Sequence, residues 1–261
     1  MTEQSAAQVS PPVPIATPLH AARSWNLAIL ESQQWVKNIF VKLPATIYPV
    51  KMLRYWFMYH LIRDEHKRLG RPVRVCEIGV DRGQMLRFMR DAGFADIATW
   101  VAVDCKLQPE LKEANYSEQI EANVDLPEFA LAEQYDVIIV LHLLEHLFEP
   151  EQLALRLTPA LVPGGVMLGG FPATPQWLAP TWQNRIRRTA IKFGHVSVFS
   201  PTRVHNMAAR CKMKVDFLSG AFLLRKSGLF LENFKGWLRF NLVFGALFPS
   251  LGGEIYWRIR K

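Results

Sequence analysis

The stretch Val73-Arg-Val-Cys-Glu-Ile-Gly-Val-Asp-Arg-Gly83 decides the fold of this 261-residue chain. Its apolar strand pattern runs to Ile78 and breaks into a turn with two glycines. Residues 85–89 then follow a helical apolar spacing, so the sequence predicts a helix directly after the turn. A strand, a glycine turn and a helix in this order bring backbone N–H groups close to a bound ligand.

The acids of this turn indicate which ligand it binds. A dinucleotide site favours G-x-G-x-x-G, whose third glycine packs the helix on the strand while the helix N-terminus faces a pyrophosphate. This chain has only Gly79 and Gly83, with Asp81 between them and Glu77 near the end of the strand. Two acids are poor neighbours for a pyrophosphate and suit a ligand with an ammonium group and no phosphate.

Another acid follows the next predicted strand. The apolar run Ala98–Val103 ends on Asp104, which lies 27 positions after Glu77 (104 − 77). This distance is close to the roughly 20 residues over which a βαβ unit returns an acid to a ribose. We therefore expect Asp104 to accept hydrogen bonds from both ribose hydroxyls of the ligand.

Strand and helix patterns alternate along the rest of the chain. The apolar run 137–141 predicts a central parallel strand, and the segment from Pro150 to Leu161 has a helical pattern. The residues Val162-Pro-Gly-Gly-Val166 predict a turn into a strand over 166–171. Further strands are predicted at 213–218, 221–225 and 254–260, and further helices at 20–43 and 49–69.

These segments together resemble the ordered motifs of the class I S-adenosylmethionine (SAM) methyltransferases. Residues 77–83 are similar to the family's E/D-x-G-x-G-x-G motif, with Asp81 in place of the middle glycine, where Asp tolerates a left-handed backbone. Asp104 matches the acid of the family's second motif. The stretches 135–166 and 194–200 resemble the group related to ubiquinone-biosynthesis O-methyltransferases.

The resemblance covers about residues 70–225 and implies an α/β fold with a Rossmann-like class I methyltransferase sheet. We expect this domain to span 70–261, with acceptor-side insertions at 172–199 and 226–252. A disordered tail is expected at 1–18, because this proline-rich segment has no periodicity. An N-terminal helical cap over 19–69 and a basic, aromatic C-terminal cap complete the expected architecture.

The resemblance also implies SAM as the cofactor. We expect Asp104 on its ribose, and Glu77 and Gly79 near its methionine portion. The residues that we assign to the cofactor site are Glu77, Gly79, Gly83, Asp104, Asn123 and Leu141.

The candidate catalytic residues are His146, His195 and Glu145. Methyl transfer from a sulfonium is an in-line displacement, and a hydroxyl acceptor benefits from a base within hydrogen-bond reach. His146 follows the strand end where the methyl group should point, and His195 lies on the acceptor-side loop. We expect one of them to accept the acceptor's proton, with Glu145 orienting His146 or holding the loop.

The same residues raise the question of a metal. His142-x-x-Glu145-His146 fits the H-x-x-E-H pattern of inverted zinc proteases, but that motif needs a long helix and here it follows a strand directly. Relatives among quinone and small-RNA 2′-O-methyltransferases hold a divalent cation with E-x-x-E-H. Because His142 replaces the first Glu, a hard oxygen ligand is lost, and we assign no metal site.

Composition indicates one large cytoplasmic domain. Half of the residues are hydrophobic, and the cysteines Cys76, Cys105 and Cys211 are odd in number and widely spaced, as expected for reduced thiols. We expect no signal peptide, because residues 1–18 are polar and proline-rich. No uninterrupted apolar run reaches the ~18 residues of a membrane-spanning helix, so any contact at the inner membrane face would be peripheral.

Charge divides the chain into an acidic and a basic part. Residues 70–170 carry 8 basic and 16 acidic side chains, whereas residues 171–261 carry 15 and 3. The basic part, which includes Arg185, Arg187, Arg188 and Lys192, predicts an anionic acceptor, either a small molecule or lipid-linked. The aromatic and basic segment 228–248 suits contact with a membrane surface, a roof over a lipid-like acceptor, or simple packing. Nucleic acid is not expected as a partner, and the oligomeric state is open.

The sequence therefore predicts a SAM-dependent methyltransferase that O-methylates a hydroxyl on a small or lipid-linked acceptor of the saccharide or isoprenoid type. Two alternatives stay open. One is an RNA ribose methyltransferase, although the chain contains no RNA-reading module. The other is a non-catalytic, membrane-associated binding module on the same fold.

Overall fold

The structure is a computed structural model, and it describes residues 16–33, 46–189, 191, 194–223 and 228–261. Several sequence predictions lie outside these residues. They are the tail up to residue 15, residues 34–43 of the helix predicted over 20–43, the last two residues of the strand predicted over 221–225, and the basic residue Lys192.

The described residues form a seven-stranded sheet with helices on both faces. Its order is β3-β2-β1-β4-β5-β7-β6, and β7 is antiparallel to its neighbours while the other pairs are parallel. The strands are β1 (Val73–Ile78), β2 (Ala98–Asp104), β3 (Glu118–Glu121), β4 (Tyr135–Leu141), β5 (Leu161–Pro172), β6 (Lys214–Gly220) and β7 (Glu254–Arg260). This is the Rossmann-like sheet that the sequence predicted.

Helices connect the strands and cover the sheet. The α-helices are α1 (Pro18–Ser24), α2 (Leu53–Leu69), α3 (Gln84–Asp91), α4 (Pro150–Leu157), α5 (Ala179–Arg188), α6 (Pro201–Arg210) and α7 (Lys235–Leu247). Short 3-10 turns lie at Ala28–Leu30, Val50–Met52, Ala95–Ile97, Pro109–Glu113, Leu144–His146, Thr158–Ala160 and Phe230–Asn233.

The central strands are apolar on both sides because both faces of the sheet are covered. Successive residues of β4 enter different clusters: Val137 packs on the face that contains α2 and α3, and Ile138 packs on the face that contains α4 and α6. All residues of β4 except the last are buried. The continuous apolar run that predicted a central strand thus reflects burial from two sides.

Four sequence predictions of secondary structure were wrong in part, and three of them concern segments after β4. Residues 162–166 do not precede a strand, since β5 already begins at Leu161 and the Pro-Gly-Gly segment forms an irregularity in its pairing with β4, with Gly164 at φ +73°. Residues 221–223 are not strand, because the chain leaves the sheet after Gly220 and the N–H of Leu223 bonds the Asn241 side chain. The helix predicted to Leu161 ends at Leu157 and continues as a 3-10 turn.

The helix predicted over 20–43 also ends early, at Ser24. Tertiary contacts satisfy the carbonyl groups that a longer helix would use. The Arg239 guanidinium donates to the carbonyls of Ala22 and Trp25 at 2.8 and 2.6 Å, and the Trp56 indole donates to Asn26 at 2.6 Å. Helical spacing in the sequence cannot reveal such partners, which come from distant parts of the chain.

The connections after β5 and β6 both lie at the carboxyl edge of the sheet. The first contains α5, and the second contains α7 and returns the chain to β7. On α7, Leu238 and Leu242 are buried in the same cluster as Trp25 and Phe217. Packing therefore accounts for the inner side of the segment 228–248 that the sequence left open.

Candidate active site

A cavity of about 650 Å³ opens at the carboxyl edge of the sheet. Turns that follow four neighbouring strands contribute to it, as expected for ligand sites of open α/β sheets. Its wall consists of Gly79, Asp104, Cys105, Asn123, Val124, Asp125, Leu143, His146, Leu147, Phe148, Ile191, Gly194 and Val196. Four sequence-assigned site residues lie on this wall: Gly79, Asp104, Asn123 and His146.

The turn after β1 has the left-handed backbone that its glycine pattern predicted. Gly79 has φ +76°, a conformation that favours glycine, and a Cβ there would lie 3.3 Å from the Leu143 side chain, which would have to move slightly. Asp81, which replaces the family's middle glycine, has φ +47°. This is the conformation that we expected Asp to tolerate.

Asp104 is held in place by the backbone around it. One carboxylate oxygen accepts the N–H of Asp81 at 3.0 Å, and the other accepts the N–H of Lys106 at 3.3 Å. Each oxygen can accept a further hydrogen bond, so the pair is suited to two neighbouring hydroxyl groups. A ribose is therefore the part of SAM that fits this end of the cavity.

Glu77 lies behind the wall and not on it. Its carboxyl group is buried and accepts a 2.7 Å hydrogen bond from the Tyr116 hydroxyl. Burial, together with the negative charge of Asp104, raises the pKa of Glu77 to about 8, although the Tyr116 hydrogen bond lowers it. A positively charged group close to this side chain would favour its ionised form.

Two further residues assigned to the cofactor site, Gly83 and Leu141, also lie off the wall. Gly83 allows α3 to begin close to neighbouring side chains, since a Cβ there would lie 3.1 Å from both Ala114 and Leu111. Leu141 packs against the apolar cluster next to α2 and α3, and Leu143 contributes to the wall instead. The reason is that the chain turns sharply at His142, which has φ +53°.

His146 has a defined tautomer. Its Nδ1 lies 3.1 Å from the carbonyl oxygen of Gly194, and because a carbonyl can only accept, Nδ1 must carry the hydrogen. In the neutral imidazole, Nε2 then holds a lone pair that can accept a proton or bind a metal. The His195 ring packs edge-on against His146, with ring centroids 4.9 Å apart.

Glu145 joins the turn after β4 to the loop that carries His195. Its carbonyl oxygen accepts the N–H groups of Val196 and Ser197 at 2.8 and 3.0 Å. The carboxylate points elsewhere: Oε1 lies 2.9 Å from Nδ1 of His142, and the buried Oε2 has no hydrogen-bond partner. Glu145 is therefore bound to the loop through its backbone and to His142 through its side chain.

His142 lies between two buried acids. Its Nε2 is 3.3 Å from Glu254, without the alignment of a hydrogen bond, and Glu254 also pairs with Arg54 at 3.0 Å. Burial and Arg54 each lower the pKa of His142, but the contacts with Glu145 and Glu254 outweigh them and raise it. For Glu254, burial favours the neutral form, yet Arg54 and His142 hold its pKa well below the usual range.

The donor set of the candidate catalytic residues also suits a cation. One ligand-type atom from each of Glu145, His146 and His195 lies within 4.8 Å of the others. A carboxylate oxygen and two imidazole nitrogens are ligands for several divalent metals. The arrangement can thus either accept a proton or hold a cation, since both uses fit these distances.

Sequence reasoning missed several residues of this region. Tyr116, Arg54 and Glu254 reach the site from a loop, from α2 and from β7, and no local pattern links them to the motifs. Phe148 and Ile191 border the cavity and are exposed. Phe148 comes shortly after His146 in the sequence, and Ile191 comes shortly before His195. Their apolar side chains next to a polar motif are the signal that could have indicated them.

The basic residues of α5 divide between two positions. Arg187 donates to the carbonyl oxygen of Phe148 at 3.4 Å, next to the cavity. Arg185 and Arg188 instead line a shallow groove on another side of the helix, together with Thr181 and Asn184. Of the three arginines on this helix, Arg187 is thus the one beside the cavity mouth.

Comparison with known proteins agrees with this geometry. A family model described as a methyltransferase domain matches residues 53–212, more than half of the chain. No curated protein sequence matches the chain.

Solved structures of low sequence identity share the fold. A putative sarcosine dimethylglycine methyltransferase from Galdieria sulphuraria is 14% identical, with a TM-score of 0.54 over 78% of this chain and 84% of that chain. The putative methyltransferase in complex with the Haloferax volcanii Trm112 activator is 14% identical, with a TM-score of 0.54 over 88% and 97%. An S-adenosylmethionine-dependent methyltransferase from Mesorhizobium loti is 14% identical, with a TM-score of 0.53 over 81% and 100%.

The match covers β1 to β5, the glycine turn and Asp104, and ends before β6 and β7. It describes the class and does not single out the ubiquinone-biosynthesis subgroup. The chain belongs to the methyltransferase-domain family, as a class I enzyme that depends on S-adenosylmethionine.

Proposed function

We propose that the enzyme O-methylates a hydroxyl group of a lipid-linked acceptor, of the saccharide or isoprenoid type, that carries an anionic group. The observation that carries this proposal is the His146 imidazole on the cavity wall, with Nδ1 bound to Gly194 and Nε2 left with its lone pair. A hydroxyl is a weak nucleophile that needs to lose its proton as it attacks, so a positioned base aids it most. The methyl group comes from the sulfonium of SAM when the cofactor is bound.

In this proposal, His146 accepts the proton of the acceptor, and the loop after residue 194 holds His146 in position. His146 Nε2 takes the proton of the acceptor hydroxyl, and the imidazolium that forms keeps its Nδ1–H on the Gly194 carbonyl. The bonds from Val196 and Ser197 to the Glu145 carbonyl keep the loop, and with it Gly194, close to His146. Holding the two reacting groups close and aligned is the main contribution that a methyltransferase makes.

Apolar and basic side chains at the cavity mouth support an amphipathic acceptor. Leu147, Phe148 and Ile191 supply apolar contacts, and Phe148 and Ile191 are largely exposed, at 54% and 75%. Arg187 lies next to them and can pair with a phosphate or carboxylate. An acceptor with an apolar part and an anionic group would use both features.

A cation-assisted form of the same reaction is the second candidate. It is favoured by the proximity of Glu145, His146 and His195 and by the unpartnered, buried Oε2 of Glu145. In that case these three residues would hold a divalent cation, which would lower the pKa of the acceptor hydroxyl. Loss of activity with a chelator and recovery with Mg²⁺ or Mn²⁺ would identify this form; insensitivity to the chelator would leave His146 as the base.

Comparative mass spectrometry tests the proposed substrate class. Lipids, cell-envelope glycans and RNA nucleosides would be compared between cells with and without the gene. We expect one lipid or glycan to differ by the mass of a single CH₂ group on an oxygen atom. A methylated ribose in RNA would favour the alternative that the sequence left open, and a methylated amine would contradict O-methylation.

A further inference from the structure

Exposed large hydrophobic side chains are concentrated in the connections at one edge of the sheet. In the part of the chain that the structure describes, every one lies in a segment at the carboxyl edge of the sheet, where the cavity opens. They are Ile47, Leu126, Phe148, Trp177, Trp182, Ile191, Leu223, Phe230, Leu231, Phe234, Phe240, Leu247, Phe248 and Leu251. Scattered apolar residues are normal on protein surfaces, but a one-sided concentration marks an interaction site.

Most of them belong to two connections that leave the sheet close together. One follows β5 and the other follows β6, and only β7 lies between these strands, so the strand ends are about 10 Å apart. The first connection exposes Trp177 and Ile191, at 77% and 75%, and the second exposes Phe230 at 75%. We call the exposed side chains of residues 177–189, 191 and 230–251 the membrane face.

Aromatic rings continue along the second connection. Phe230 and Phe234 are edge-on at 5.4 Å between centroids, and Trp237, Phe240, Phe244 and Phe248 follow one another at 5.5, 6.3 and 5.5 Å. The opposite side of α7 is buried through Leu238, Asn241 and Leu242. The helix is thus packed on the protein by one side and presents aromatic rings on the other.

The charge of this region is positive. Arg185 and Arg188 are exposed on α5, and the Arg185 guanidinium lies 5.5 Å from the centre of the Trp182 ring. The acids of residues 171–261 do not offset these charges at the surface. Glu232 and Glu254 are buried, and Asp216 is paired with Arg258 and Arg260.

We propose that the membrane face rests on a bilayer that contains anionic lipids. Aromatic rings with Trp among them, next to exposed arginines, are the composition of peripheral membrane surfaces, since the rings enter the headgroup region and the cations attract anionic lipids. No described helix is long and apolar enough to cross a bilayer, which fits a contact at its surface. The cavity mouth at Phe148 and Ile191 then faces the lipid, so an acceptor reaches His146 from the membrane.

This inference deepens the proposed function by naming where the acceptor comes from. Its test is independent of methyl transfer, because it measures binding to lipid alone. The full chain would be sedimented with vesicles of phosphatidylcholine and with vesicles that also contain phosphatidylglycerol. We expect it to bind the second kind, and raised salt to weaken that binding.

Variants assign the binding to the membrane face. Replacing Phe230 and Phe234 together by Ser should weaken vesicle binding at least about tenfold, because two inserted rings are lost. Changing Arg185 and Arg188 to Gln should weaken it about fivefold per arginine. The matched control is Leu126→Ser, an exposed apolar residue at the same edge but beside the acidic half, which should bind like the natural chain.

Three results would overturn the inference: no binding to either vesicle, an equal loss in Leu126→Ser, or a dimer in sedimentation equilibrium that Phe230→Ser dissociates. The last would assign the apolar surface to a second copy of the chain. Calorimetry with SAM keeps this outcome separate from misfolding, since the Phe230→Ser, Phe234→Ser variant should bind SAM normally. If the protein binds vesicles but methylates no hydroxyl, the proposed reaction fails while the membrane contact stands.

Discussion

The hydroxyl of Tyr116 donates a 2.7 Å hydrogen bond to the buried carboxyl group of Glu77. Because the pKa of Glu77 is raised from 4.5 to about 8, this group is mostly protonated at pH 7. Glu77 lies behind the cavity wall, so the charge of a SAM ammonium group bound in front of that wall would lower this pKa. We therefore expect SAM binding at pH 7 to release a proton, which calorimetry in buffers of different ionisation enthalpy would detect.

Glu77→Gln provides the control for this prediction, since its side chain has no proton to release in this range. Proton release of the same size in this variant would show that another group titrates. The Glu77 carboxyl group also makes the ligand-free protein less stable as pH rises from 4.5 towards 8, because the folded state binds the proton more tightly than the unfolded state. Glu77→Gln should remove that slope.

Asp104 should dominate the affinity for the cofactor. Asp104→Ala removes charge-assisted hydrogen bonds to the ribose, so SAM should bind more than about tenfold more weakly, or roughly 1.4 kcal/mol. Asp96→Ala serves as a control, since it removes an exposed acid before β2, at the opposite edge of the sheet. Calorimetric affinities that are equal in the natural chain and in Asp104→Ala would contradict the assignment of this residue.

His142 should stabilise the protein in a pH-dependent way. Its pKa is raised above 6.5 in the folded state, so its contribution is full below pH 6.5 and is lost as pH rises through the folded pKa. His142→Asn keeps a residue that tolerates the positive φ but removes the imidazole that lies between the buried carboxylates of Glu145 and Glu254. We expect a loss of about 3 kcal/mol at low pH that shrinks as pH rises.

Urea unfolding at several pH values measures this effect. The control is His205→Asn, an exposed histidine on α6, which should change the stability little at any pH. A loss in His142→Asn that is the same at all pH values would mean that the imidazole is held neutral.

Arg187 should affect the acceptor and not the cofactor. Since it lies beside the cavity mouth, Arg187→Ala should raise the acceptor KM about tenfold and leave the SAM affinity unchanged. Arg185→Ala is the matched control when the acceptor is presented in neutral detergent, because Arg185 lies on another side of α5. If SAM affinity falls in Arg187→Ala instead, the helix covers the cofactor.

Much of the cofactor half of the site could be predicted from sequence. Gly79, Asp104 and Asn123 lie at or just after the carboxyl ends of strands, and parallel strands carry such residues to one edge. Glu77 was expected at the ligand, yet it lies behind the wall, because its position in β1 turns the side chain into the protein, where Tyr116 meets it. The strand pattern alone does not show which face of β1 the loop 113–117 will cover.

The acceptor half could not be predicted to the same extent. Arg54, His142 and Glu254 meet only after α2, β4 and β7 have come together, and 200 positions separate Arg54 from Glu254. Similarly, the sequence could not distinguish packing from surface contact in 228–248. On α7 the structure buries Leu238 and Leu242 in the core and exposes Phe240, because a helix on the sheet edge has two different sides. Phe230 and Phe234 are exposed in the segment just before this helix.

The most direct test of the account is transfer of a labelled methyl group from SAM to extracted lipids and glycans, with the natural chain and with His146→Ala. We predict label in an alkali-stable methyl ether, formed about 10²–10⁴-fold more slowly by His146→Ala while SAM binding stays intact. Label on an amine, or equal rates for both proteins, would contradict a histidine-assisted O-methyltransferase.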